Sequence, residues 1–241
     1  MKVFLCTPSP ECFLTAVYDA IPFEDSVISC EQDRQIGLLD ELIPVAEDPE
    51  KTAKVIRKLI SLDPCSVRDI SLALRCGVPE RADMIFRYIK LLIKRGRPVR
   101  EAYGYAEVMD MESLKHKVTH EIDKLKGLIR FMECEDGTLY APYTPDCDIT
   151  ELLMPHFLAR LPGRKFIIHD LGRHLAGISN GEDYIITPAG EATITLADCE
   201  MQYESLWKRY YNAVNIEARR NDRQMKGYMP VRYWKFLPEK S

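Results

Sequence analysis

The 241-residue sequence predicts an α+β fold: a mostly antiparallel sheet, a largely helical middle segment over 49–126, and C-terminal helices, all in one domain, 1–241. Three observations carry that reading. Apolar residues recur at helical spacing through the middle and switch to an extended period at Gly127. Two hairpin dipeptides, Asp136-Gly137 and Asn180-Gly181, fall between apolar or β-branched runs. Strands and helices follow one another without regular βαβ alternation, which disfavours a doubly wound sheet.

Taken in order, Lys2–Cys6 is β-branched and aromatic and reads as a first strand, ended by the Pro8/Pro10 turn. Glu11–Ala20 carries Phe13, Leu14, Val17 and Ala20 at helical spacing, and Pro22 stops it. Ser26–Glu31 reads as a second short strand, followed by an acidic stretch with Pro49 in its loop. Helices are expected at Pro49–Ile60 and Ser66–Arg75, then from Pro79 as a first helical residue to Gly96, and at Met109–Lys126 up to Gly127. Leu128–Cys134, Thr138–Tyr143, Lys165–Asp170, His174–Ser179 and Asp183–Thr187 read as strands. Asp148–Leu161 and Cys199–Asn215 read as helices, and Pro230 can start a short one over Met229–Leu237.

Composition narrows the function classes. Hydrophobic content of 46% and charged content of 29% are those of an ordinary globular chain. A net charge of -4 means that any nucleic-acid binding must come from a local basic patch. Apolar runs are too short for a membrane span, and no signal-peptide core follows Met-Lys-Val-Phe-Leu-Cys, so a cytoplasmic protein without membrane contact is expected. None of the eight cysteines forms a Cys-x-x-Cys pair, so they read as reduced, buried thiols.

The last stretch, 207–239, is basic and aromatic. Lys208, Arg209, Arg219, Arg220, Arg223, Lys226, Arg232 and Lys235 interleave with Trp207, Tyr210, Tyr211, Tyr228, Tyr233, Trp234 and Phe236. Cations for phosphate and flat faces for bases are what single-stranded nucleic acid needs, so Arg219, Arg220, Arg223, Lys226, Arg232, Tyr233, Trp234 and Lys235 are the candidate binding residues. The structural alternative is that the aromatics dock the tail on the core and the cations are its solvated face. His156, His169, Asp170 and Arg173 are candidate catalytic groups. Adjacent strand residues point to opposite faces, so His156 or Arg173 is a better partner for His169 than Asp170 is. His116 and His120 sit four apart on a helix without a third ligand, and no metal or cofactor site is expected. A phosphate-cradling Gly-rich loop and a Gly-x-Ser-x-Gly elbow are both missing, so whether the chain is an enzyme stays open.

Asn215-Ile216-x-x-Arg219-x-Asn221-x-x-x-Met225 and Met229-Pro230-Val231-Arg232-Tyr233-Trp234-Lys235-Phe236-Leu237-Pro238-Glu239 resemble the C-terminal signature of a bacterial family of unknown function described as probable DNA metabolism proteins. The resemblance extends to Arg130-Phe131 with Asp136-Gly137-x-Leu139-Tyr140-Ala141, to Leu152-Leu153-x-Pro155-His156-Phe157-x-x-Arg160, to Ile168-His169-Asp170-x-x-Arg173, and to Phe13–Ala20. It implies an accessory or nucleic-acid-binding protein in DNA metabolism or repair. Its expected partners are DNA and a radical-SAM DNA modification or repair protein, and similar domains are joined to uracil-DNA-glycosylase-like domains. The radical-SAM three-cysteine pattern is absent here, which leaves iron–sulfur chemistry to the partner. An enzyme acting on a nucleic acid or nucleobase through a His/Asp/Arg site, and a protein-interaction module without nucleic-acid binding, are the alternatives. Family members commonly begin with a Tyr-Asp-Gly-Ser/Thr-like turn, where this chain has Cys6-Thr7-Pro8-Ser9-Pro10.

Overall fold

The computed structural model describes residues 1–31, 37, 40–190, 195–197, 200–214 and 221–238, apart from the side chains of Met201, Asn212 and Asp222. The chain divides into two compact units, Met1–Thr119 and His120–Ser241.

In the first unit, β1 (Lys2–Leu5), β2 (Ser26–Ser29) and β3 (Glu41–Pro44) form a parallel sheet in the order β2-β1-β3. Helix α1 (Pro10–Ala20) is the β1–β2 crossover. Ser9 caps it by accepting the Cys12 amide at 3.1 Å, Pro10 supplies a first-turn residue that needs no N–H partner, and Phe13, Leu14, Ala16 and Val17 are buried. This sheet departs from the expected antiparallel pairing. Strand β3 escapes sequence reading because Glu-Leu-Ile-Pro is four residues long, lies in an acidic stretch and ends in a proline, which only a sheet margin tolerates. Helices α2 (Pro49–Leu62), α3 (Ser66–Leu74) and α4 (Arg81–Arg95) follow, and α5 (Ala106–Leu128) leads out of the unit. Pro79 lies before α4 instead of opening it, and Glu80 is the N-cap. Gly127 does not stop α5, which runs one residue past it.

The second unit carries the mostly antiparallel sheet that the hairpin signals imply. Its order is β4-β5-β6-β7-β8: β4 (Met132–Glu133), β5 (Leu139–Tyr143), β6 (Phe166–Asp170), β7 (Leu175–Ser179) and β8 (Tyr184–Pro188). Only the β5–β6 pair is parallel, joined through α6 (Thr150–Arg160). Gly137 takes φ 78° in the β4–β5 turn, a conformation that a Cβ would oppose. Asn180 and Gly181 lie in a four-residue turn, since Ser179 pairs with Tyr184. Leu128–Cys134 is a strand only at Met132–Glu133, because the helical ladder of α5 continues to Leu128.

Helix α6 covers one face of this sheet. Met154 fills the space above Gly177, where a Cβ would collide with its thioether, and Gly177 stands in register with Ile168. The Phe131 ring meets both Phe157 of α6 and Phe166 of β6 edge-on, at 5.2 and 5.8 Å. Strand alternation therefore puts Phe166, Ile168 and Asp170 under α6, and Ile167 and His169 on the other face. Helices α7 (Glu200–Val214) and α8 (Asp222–Tyr228) and a 3-10 turn over Val231–Phe236 complete the unit. Among the described residues no helix is long and apolar enough to cross a membrane.

Candidate functional site

Three features of the second unit bear on function. The first is the anchor of the C-terminal turn. Pro230 opens the 3-10 turn and Tyr233 is buried at 2% exposure, its hydroxyl donating to the Glu121 carboxylate. Glu121, itself 5% exposed, also accepts from Arg232 at 2.8 Å and from the amides of Asp146 and Cys147 at 3.0 and 2.7 Å. Burial alone would raise the Glu121 carboxyl, but these hydrogen bonds outweigh it and hold it below the usual range. Arg232 bridges Glu121 and Asp146, at 2.8 and 2.6 Å. Of the residues expected to meet nucleic acid, Arg232 and Tyr233 thus face inward partners. The Trp234 indole N–H donates to the Met229 carbonyl at 2.9 Å, and Lys235 is an exposed cation of the turn without a carboxylate partner among the described residues.

The second feature is the outer surface of α7 and α8. Tyr203, Leu206, Trp207, Tyr210 and Val214 recur at three- and four-residue steps, the spacing of one helix face, yet all are exposed, Trp207 at 38% and Tyr210 at 58%. Trp207 and Tyr210 rings lie 5.7 Å apart at 34°, and the Arg130 guanidinium sits 5.6 Å from the Trp207 ring. Lys208 pairs with Glu204 at 2.7 Å. Arg209, Arg223, Lys226 and Lys235 are exposed and have no carboxylate within 4 Å among the described residues. Tyr228 is 70% exposed, and Lys124 holds α8 through the Gly227 carbonyl at 2.9 Å. Arg219 and Arg220 lie outside the described residues.

The third is a cavity of about 490 Å³ on the sheet face opposite α6, lined by Tyr140, Ile167, His169, Ala176 and Ile178, with Cys134 and Asp136 among its other walls. His169 is 3% exposed; its Nδ1 and the Tyr140 hydroxyl hydrogen-bond at 2.9 Å, and its Nε2 is buried without a hydrogen-bond partner among the described residues. Burial, and then the neighbouring acids, raise the Cys134 thiol, which keeps it protonated at neutral pH.

The four catalytic candidates do not converge. Asp170 is fully buried on the α6 side, where it accepts from the amides of Gly172 and Arg173 at 3.0 and 3.1 Å and pairs with the Arg173 guanidinium at 3.0 Å. Arg173 also donates to the carbonyls of Pro145 and Asp146, so this pair ties down the loop before α6. His156 stands on α6, across the sheet from His169, with its ring 4.9 Å from that of Phe157 and Nε2 buried without a hydrogen-bond partner among the described residues. Burial, followed by the charges of Lys126 and Arg160, lowers its pKa. What brings His169 a partner is register. Tyr140 pairs with Ile167, which sets its side chain diagonal to His169 on the same face. Sequence reading passed over Tyr140, Cys134 and Glu121, and a parallel register between residues 27 positions apart has no local signal.

Residues 79–239, about two thirds of the chain, match the family model of DUF4130, a domain of unknown function. The match takes in the whole five-stranded sheet and leaves out β1–β3 together with the Phe13–Ala20 run. No curated protein matches the chain. With the family model extending from before α4 through the C-terminal turn, the chain belongs to the DUF4130 family.

Proposed function

We propose that this chain is a nucleic-acid-binding accessory protein of DNA metabolism, acting with a radical-SAM partner, and that it meets single-stranded nucleic acid on the outer face of α7 and α8. The observation that carries the reading is the exposed aromatic row Tyr203, Trp207 and Tyr210 on α7, in a C-terminal stretch that also exposes Arg209 on the same helix and Arg223 and Lys226 on α8. A soluble helix ordinarily turns such a face inward, and an aromatic face left to solvent marks a surface that something covers. Exposed cations in the same stretch favour a polyanion, and bases stack on Trp and Tyr without needing a particular sequence. The sequence resemblance supplies the DNA context and the partner.

Fluorescence anisotropy of a labelled single-stranded oligonucleotide, titrated with the full chain over a range of salt, tests this. Trp207→Ala should weaken binding by roughly 5- to 150-fold, the equivalent of about 1–3 kcal/mol for one stacked base. Replacing Arg209, Arg223 and Lys226 together by glutamine should flatten the slope of log K against log salt by about 2, at about 0.7 per phosphate contact. No binding of the oligonucleotide, with salt-tolerant binding to a protein partner alone, would favour the interaction-module reading instead.

The cavity at His169 supports a second reading, an enzyme or binding pocket for a nucleobase. The His/Asp/Arg site expected for it is replaced there by His169 with Tyr140, since Asp170 and Arg173 serve the opposite face. Base release or modification by the isolated chain, abolished in His169→Ala, would establish it.

A further inference from the structure

We propose that Cys6 and Cys30, in the first unit, form a redox-active dithiol that closes reversibly to a disulfide when the chain meets a peroxide. The two residues follow β1 and β2 directly, one step beyond the Leu5–Ser29 register pair, and the Cys6 amide still donates to the Ser29 carbonyl at 3.0 Å. Their sulfurs are 3.6 Å apart. Neighbouring strands run about 4.7–4.9 Å apart, inside the span of Cα separations that a disulfide bridges, so closure needs side-chain rotation more than backbone movement.

The surroundings divide the roles. Cys30 is half-buried and within reach of a small oxidant, whereas Cys6 is 8% exposed. The hydrogen bond shared with Cys6, in which either sulfur can donate, holds the Cys30 thiol below its usual range; burial and the charge of Glu31 oppose this, and the charge of Arg81 adds to the lowering. The same hydrogen bond, with burial, raises Cys6. Arg81 is fixed for that role by donating to the carbonyls of Leu74 and Val78, each at 3.0 Å. Cys30 is therefore the nucleophile and Cys6 the resolving thiol. Cys12, donating to the Val45 carbonyl at 3.3 Å, is a buried thiol nearby that serves as an internal control.

The steps balance. The Cys30 thiolate attacks one peroxide oxygen, the O–O bond breaks, and the departing hydroxide takes a proton to leave as water, giving the sulfenic acid. The Cys6 sulfur then attacks the Cys30 sulfur, expelling a second water with the Cys6 proton and forming the S–S bond. Two thiols lose two electrons and hydrogen peroxide gains them. A dithiol reductant reverses the change.

The experiment treats the full-length protein with stoichiometric hydrogen peroxide, blocks remaining thiols by alkylation and maps the peptides by mass spectrometry. The expected result is a loss of about 2 Da, a peptide pair joined through Cys6 and Cys30, and full alkylation of Cys12, all reversed by dithiothreitol. Cys6→Ser should stop at a Cys30 sulfenic acid that a 1,3-dione traps, and Cys30→Ser should slow the first oxidation by about tenfold or more. The mapping on the unaltered protein decides the matter even if either variant folds poorly. Linkage of Cys6 to Cys12, or oxidation spread evenly over the cysteines, overturns the proposal.

Discussion

Replacing Glu121 by glutamine should undock the C-terminal turn, and the geometry sets the size of the effect. One carboxylate oxygen accepts from Arg232, the Asp146 amide and the Tyr233 hydroxyl, while the other accepts from the Cys147 amide. Glutamine retains one oxygen. Placed at the three-donor position, it turns its own NH₂ against the Cys147 N–H, leaving a buried donor unsatisfied at about 1–3 kcal/mol. The remaining bonds lose charge assistance, and of its two carboxylate partners Arg232 keeps Asp146, but the Arg232 side chain is 43% exposed and water softens that loss. The sum is about 2–4 kcal/mol. Tyr233→Phe removes a hydroxyl that donates to Glu121 and accepts from the half-exposed Arg232 guanidinium at 2.8 Å, and should cost about 2–4 kcal/mol; the double variant should cost less than the sum because the two share a bond.

Urea unfolding followed by tryptophan emission is the assay, since both tryptophans lie in the second unit and Trp234 adjoins Tyr233. Acid gives a second readout. The folded carboxyl is held below its usual value, so its contribution is complete above the unfolded value of about 4.3 and is lost as pH falls through the native one. The stability gap between the natural chain and Glu121→Gln should therefore narrow on acidification from pH 5. A gap under about 0.5 kcal/mol at pH 7, or one that stays constant down to pH 3, would refute the reasoning.

The buried carboxylate Asp63 meets Arg100 through two oxygens at 2.9 and 3.1 Å, so Asp63→Asn should destabilise the first unit by about 2–4 kcal/mol in a urea melt. Gly177→Ala should cost about 1–3 kcal/mol by forcing Met154 aside, and Met154→Ala in the same chain should relieve part of that penalty. Tyr140→Phe takes the partner from His169 Nδ1 and should cost about 1–3 kcal/mol, whereas unchanged stability would mean that the pair contributes nothing. By NMR the His156 ring should titrate below the usual His value of about 6.5. Because the native state then binds fewer protons, its share of stability is lost as pH drops from about 6.5 through the native value.

What could be read from the sequence follows the range of the interaction that decides it. The helical middle, the Asp136-Gly137 turn and the 3-10 turn opened by Pro230 rest on residues at most a few places apart, and each is found close to where the sequence puts it. Opposite orientation of His169 and Asp170 was equally legible, because strand alternation is local. Their partners were not. Whether Arg173 reaches Asp170 or a histidine depends on which sheet face α6 covers, and nothing in the Asp148–Leu161 run specifies that.

The tail separates in the same way. Its most recognisable residues, Arg232 and Tyr233, are fixed by a glutamate 111 and 112 positions away, whereas the weaker pattern of Tyr203, Trp207 and Tyr210 faces solvent. Aromatic content alone pointed to both segments. Burial divides them, because an aromatic with a buried hydroxyl partner holds the fold, while a row of rings exposed on α7 offers its faces to a ligand. If the tail meets nucleic acid, its binding energy should therefore come from Trp207 and Tyr210. Tyr233→Phe should leave affinity within about twofold so long as the chain stays folded, a difference that anisotropy on the two sets of variants resolves directly. Equal losses from Tyr233→Phe and Trp207→Ala in folded protein would mean that the anchoring turn itself touches the ligand, and the division drawn from burial would fail.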